Sequence, residues 1–141
     1  METKPQVPRG IRNNNPLNIR KGNNWKGERT AQVDKAFEEF TSMTYGIRAG
    51  FIIIRKYMSG YNGLTEKFNT IEKIIRRWAP PTENSTQKYI DQVAKESGIS
   101  PRLKLSFADK KSMCAIVSAM IHVECGQLVD MALIESGYDL V

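Results

Sequence analysis

The stretch Asp109-Lys110-Lys111-Ser112-Met113-Cys114-Ala115-Ile116-Val117-Ser118-Ala119-Met120-Ile121-His122-Val123-Glu124-Cys125-Gly126 reads as one helix with both ends marked. Asp109 is a residue type that accepts an orphan backbone amide at a helix start. Gly126 is the type that closes a helix in a left-handed conformation. Between them Met113, Ile116, Val117, Met120 and Ile121 recur every three or four residues and form one apolar stripe. The next step on that stripe is Glu124. A carboxylate there extends the buried face at the negative end of the helix dipole, and both burial and the dipole act to raise its pKa. A protonated glutamate near neutral pH is the group a general acid requires. The stripe alone equally fits an exposed terminal carboxylate, since helix ends fray into solvent.

Outward from this helix the pattern stays helical. Ile47, Phe51, Ile54 and Met58 mark a helix that starts near Ser42 and is broken at Tyr61-Asn62-Gly63. Ile71, Ile74, Ile75 and Trp78 mark a shorter one from Thr70, ended by Ala79-Pro80-Pro81. The run Thr82-Glu83-Asn84-Ser85-Thr86 is rich in capping residues. It opens a helix through Tyr89, Ile90, Val93 and Ala94 that Gly98 closes. A weaker helix spans Leu128 to Ile134. Between Gly27 and Phe40 the Thr, Val and Phe residues with short polar turns predict a small hairpin, although Ala36 to Phe40 also suits a helix start. The expected fold is mainly α (α+β): a tail over 1–8, then one domain over 9–141 of about five or six helices with a small β-hairpin near the N-terminus.

Residues 9–27 follow no such period. Arg9-Gly10-Ile11-Arg12-Asn13-Asn14-Asn15-Pro16-Leu17-Asn18-Ile19-Arg20-Lys21-Gly22-Asn23-Asn24-Trp25-Lys26-Gly27 is dense in asparagine and glycine, yet keeps Ile11, Leu17, Ile19 and Trp25. A flexible linker would lack those apolar residues. Asparagine and glycine enter turn conformations cheaply, so the block predicts an ordered loop presenting amides and an indole, the chemistry of carbohydrate recognition.

Composition narrows the function classes. The chain has 21 Lys+Arg against 15 Asp+Glu, a net charge of +6. That charge serves solubility and fits attraction to a polyanion such as a cell wall. The basic residues are scattered pairs, not one tract, which argues against a nucleic-acid arm. The longest apolar run, Phe51-Ile52-Ile53-Ile54, is too short to cross a bilayer, and no apolar signal segment opens the chain. Synthesis in the cytoplasm and no membrane insertion are therefore expected. Cys114 and Cys125 share one helix at a spacing of roughly 16 Å, too far for a disulfide. With the single His122 they offer no zinc-ligand spacing, so no metal or organic cofactor is expected.

The segment Ala115 to Gly126 resembles the catalytic helix of lysozyme-like enzymes, which in lytic transglycosylases and autolysin-type glucosaminidases ends in Glu, a small residue and glycine. Asn15-Pro16-Leu17-Asn18-Ile19-Arg20, Trp25-Lys26-Gly27 and Phe37-Glu38-Glu39-Phe40 are similar to the loop, Trp-x-Gly and aromatic step of the glucosaminidases. Gln87 to Val93 resembles the helix whose tyrosine lines their cleft. The order differs, because here the acid's helix follows those pieces, as in a circular permutation. The chain from Arg9 to Ser136, with Arg77-Trp78-Ala79-Pro80 and Glu83-Asn84-Ser85-Thr86, looks like small phage and prophage lysozyme-like proteins, often carried in virions.

The resemblance implies a peptidoglycan-cleaving glycosidase with Glu124 as acid/base. Glu28 is the first choice for a second carboxylate, with Asp34 after it. Asn15, Asn18, Trp25, Tyr89 and Asn84 would bind substrate. Trp25, Trp78 and Tyr89 suit core positions equally well, and Glu83 suits a first-turn capping role. The implied partners are peptidoglycan glycan strands and other virion proteins, with delivery by the phage. The alternative is a non-catalytic virion or wall-binding protein that keeps the fold. Two departures, Leu17-Asn18 in place of Phe-Gly and Cys125 in place of a smaller residue, bear on substrate detail.

Overall fold

A computed structural model describes residues 7–60, 66–81 and 85–141. Among them are six helices: α1 (Arg9–Arg12), α2 (Met43–Ser59), α3 (Ile71–Trp78), α4 (Thr86–Ser97), α5 (Lys110–Cys125) and α6 (Met131–Asp139). Caps written in the sequence set most boundaries. The Ser42, Thr70 and Asp109 side chains accept the amides of Tyr45, Lys73 and Ser112, and Gly60, Gly98 and Gly126 close their helices in the left-handed region. The expected break at 61–63 lies outside the described residues, and α2 already ends at Gly60. The final helix starts later and runs longer than the Leu128 to Ile134 expectation. Asp130 caps it by accepting from Ala132, and Gly137 lets it lie against Ile47.

Helix α5 is the centre of the molecule. It packs on α4, α6 and the short α1, while α6 also covers α2. Its buried set is wider than one stripe and adds Cys114, Ala119 and Cys125 to the expected residues. Both cysteines are free and buried. Phe51, Phe107 and Tyr138 interlock at the α2–α6 contact, with Tyr138 edge-on to Phe51 at 5.4 Å.

The N-terminal hairpin is not formed. Among the described residues there is no strand, only two isolated antiparallel bridges, Arg20 with Phe37 and Glu28 with Phe40. Side chains take the backbone groups that a ladder would need. Glu39 accepts the amides of Val33 (2.5 Å) and Asp34 (3.0 Å), and Asp34 accepts those of Ala36 and Phe37. Gln32 bonds the Glu39 amide and carbonyl, and Arg29 donates to the Phe40 carbonyl. The segment is a folded loop held by carboxylates and amides. Arg9 to Arg12, expected as loop, forms the single turn α1.

This loop sits directly on α2. A Cβ built on Gly46 would stand 1.9 Å from the Asn14 carbonyl oxygen, and one on Gly50 would stand 2.2 Å from Leu17 Cδ1. The Asn14 backbone cannot move without disturbing Asn15, which is fully buried. Gly46→Ala is therefore expected to destabilise the protein by about 3 kcal/mol, the upper part of the overpacking range. Thermal unfolding should show the melting temperature lowered by roughly 10 °C.

Candidate functional site

Glu124 lies at the last turn of α5, where residues 15–18 of the N-terminal loop cross the helix end. Asn18 reaches it from a left-handed backbone (φ 53°), a conformation asparagine tolerates better than other non-glycine residues. Its Nδ2 donates to Glu124 Oε1 at 3.2 Å and to the Glu124 main-chain oxygen at 3.3 Å. One amide thus satisfies a terminal helix carbonyl and holds the carboxyl. From α4, the buried Tyr89 hydroxyl donates to Oε2 at 2.9 Å. Cys125 Sγ donates to the Pro16 carbonyl at 3.0 Å and fastens the same junction.

The Glu124 carboxyl has its pKa raised, because burial outweighs the lowering effect of hydrogen bonds from Asn18, Tyr89 and the Trp78 indole. The three donors are all neutral. Burial and the neighbouring Glu124 push the Tyr89 hydroxyl upward, so it stays a donor. Beside the carboxyl opens a cavity of about 170 Å³ lined by Leu17, Asn18, Arg20, Phe37, Trp78, Ala79 and Glu124. An adjoining cavity of about 240 Å³ shares Asn18, Arg20 and Trp78 and adds Ile19, Asn23, Ile53 and Tyr57. Together they form a polar groove that leads to a half-buried carboxyl.

Of the sequence-predicted residues, the structure brings Glu124, Asn18 and Tyr89 together. It does not bring Glu28, Asn15 or Trp25 to the Glu124 cavity. Glu28 accepts the Trp25 amide at 3.1 Å and lines a separate cavity with Lys21, Gly22, Asn23, Asn24, Gln32 and Glu38. Asn15 is spent on the loop, bonding the Ile19 amide and the Ile19 and Glu38 carbonyls. Trp25 packs half-buried against the core. Asp34 is ion-paired with Arg9 at 2.5 Å and also bonded by Asn13, which holds its carboxyl far below the usual range. Asn84 lies outside the described residues. His122 pairs with Glu96 at 2.8 Å, away from the groove.

Two lining residues gain weight from the structure. Trp78, read in the sequence as a helix-face residue and as part of the Arg77-Trp78-Ala79-Pro80 resemblance, contributes a donor to Glu124. Arg20 was hidden within the Asn-rich block. Glu38 is a further perturbed group: burial, then its hydrogen bond with Glu28, pushes its carboxyl up to about 7.

The molecule is thus a small helical protein with a half-buried carboxyl at the end of a polar groove. No family model matches the chain. It is 43% identical over 125 residues to Protein P5 of Pseudoalteromonas phage PM2, an alignment covering 86% of this chain and 73% of that protein. The chain belongs to the family of this phage protein. None of the helices among the described residues is long and apolar enough to cross a membrane.

A carboxyl whose pKa is higher in the folded than in the unfolded state contributes its stability at low pH. That contribution is lost as pH rises from the unfolded value through the folded one. Glu124→Gln carries no such loss. Urea unfolding between about pH 4 and about pH 8 is expected to show the variant gaining stability over the wild type as pH rises. The other carboxyls, common to both proteins, cancel in the difference.

Proposed function

We propose that this chain cleaves peptidoglycan glycan strands as a lysozyme-like phage protein, with Glu124 as the general acid that protonates the leaving oxygen. The observation that carries this reading is the Glu124 carboxyl itself: half-buried, held by three neutral donors, raised in pKa and facing a polar groove. A general acid must hold a proton and be fixed within reach of the leaving atom; the raised pKa acts toward the first need and the hydrogen bonds toward the second. The resemblance rests on the α5 end Glu124-Cys125-Gly126, the Asn15 to Arg20 loop and Tyr89. The expected hairpin plays no part in it. Among the described residues Glu124 is the sole carboxyl lining its cavity, which fits a mechanism in which the substrate's own acetamido group assists departure. The basic surface would favour approach to an anionic wall.

A second reading is a non-catalytic virion or wall-binding protein. The phage relative favours it directly, since kinship with a phage protein needs no catalysis. It is also favoured because both Glu124 oxygens already have protein partners, which is what a structural carboxyl requires.

Digestion of purified peptidoglycan by the wild type and by Glu124→Gln separates the two. The proposal predicts release of reducing or anhydro ends by the wild type and a loss of about 10²- to 10⁴-fold in the variant. Activity in the wild type should fall as pH rises through the raised Glu124 pKa, since the acid form is the active one. Equal activity in both proteins would remove Glu124 from the role. Binding to peptidoglycan without digestion by either protein would establish the second reading.

A further inference from the structure

We infer that Arg20 reads a carboxylate on the bound glycan, so that an acidic, muramyl-type sugar sits in the groove beside Glu124. This rests on the proposed glycan-cleaving reading and specifies its substrate. Arg20 lines both cavities of the groove, the one that holds Glu124 and the one that holds Asn23 and Tyr57. Its place there is built. The backbone bridges antiparallel to Phe37, flanked by the Lys21 amide on the Ala36 carbonyl (3.0 Å) and the Glu38 amide on the Ile19 carbonyl (2.9 Å). The guanidinium carbon stands 5.0 Å from the Phe37 ring centroid, a cation–π contact that keeps the charge at the groove wall.

Among the described residues no carboxylate pairs with Arg20. Arg9 beside it is occupied by Asp34, and Arg29 by Glu39. Nor is Arg20 the counter-charge of Glu124, whose pKa responds to burial and to neutral donors alone. An exposed guanidinium at the groove, without a carboxylate partner among the described residues, suits an anion that takes its parallel N–H donors, a carboxylate or a phosphate, and of these the glycan of peptidoglycan offers the carboxylate. A neutral polymer of N-acetylglucosamine offers only hydroxyls and amides. Peptidoglycan offers a carboxylate from two sources, the lactyl group of an unsubstituted muramyl sugar or the peptide stem attached to it.

The test is NMR titration of the full chain with N-acetylmuramic acid, its methyl ester and N-acetylmuramyl-L-alanyl-D-isoglutamine. The wild type is expected to bind a carboxylate ligand roughly tenfold more tightly than the ester, the scale of one charge-assisted hydrogen bond. Arg20→Gln should abolish that preference, and Arg20→Lys should retain part of it. Preference for the free sugar acid assigns the lactyl carboxylate, and preference for the dipeptide assigns the stem. No carboxylate preference in the wild type, or the same preference in Arg20→Gln, would overturn the inference. Binding needs no turnover, so this outcome is read independently of whether Glu124 proves catalytic.

Discussion

The Asn18 amide on the end of α5 is the interaction on which the rest of the site depends. It joins residues 106 positions apart in the chain and satisfies a helix carbonyl and a half-buried carboxyl with one group. Behind it the Asn15 side chain fixes the loop's shape, and Gly46 and Gly50 let that loop seat on α2. A helix end that would otherwise fray becomes a rigid wall. Glu124 is half-buried where the loop lies over it, and the loop is seated there by Asn15 and by its close approach to Gly46 and Gly50.

Three carboxyls within this small region show how environment divides identical chemistry. Asp34 faces Arg9 and several amides and is held ionised. Glu38 shares a proton-rich contact with Glu28 and rises to about 7. Glu124 meets neutral donors, so the loss of hydration dominates and its pKa is raised. The first organises a loop that would otherwise need a β ladder. The last is the one that lines the groove.

The helical frame was legible because it is written in caps and periodicity. Ser42, Thr70, Asp109, Gly98 and Gly126 each mark a boundary where the structure has one. The β-hairpin was misread because Thr30, Val33 and Phe37 carry strand propensity, whereas Glu39, Asp34 and Gln32 satisfy the same backbone groups from side chains, a competition that propensity does not register. In the site, Glu124 was visible as the polar step that continues an apolar stripe, and Asn18 and Tyr89 through the resemblance. Glu28 and Trp25 were drawn toward the cleft by the expected hairpin geometry, and without that hairpin they line and support a different part of the loop. Arg20 left no signal of its own, since its place on the groove without a carboxylate partner among the described residues shows only in three dimensions.

The most direct measurement is the titration of the Glu124 carboxyl carbon by NMR in the native chain. The account predicts an inflection clearly above the ordinary glutamate value of about 4.3, with the carboxyl signal assigned through its loss in Glu124→Gln. An inflection at or below that value would mean that the hydrogen bonds outweigh burial. Glu124 would then be an ionised structural clamp, and the groove would have no acid at its end.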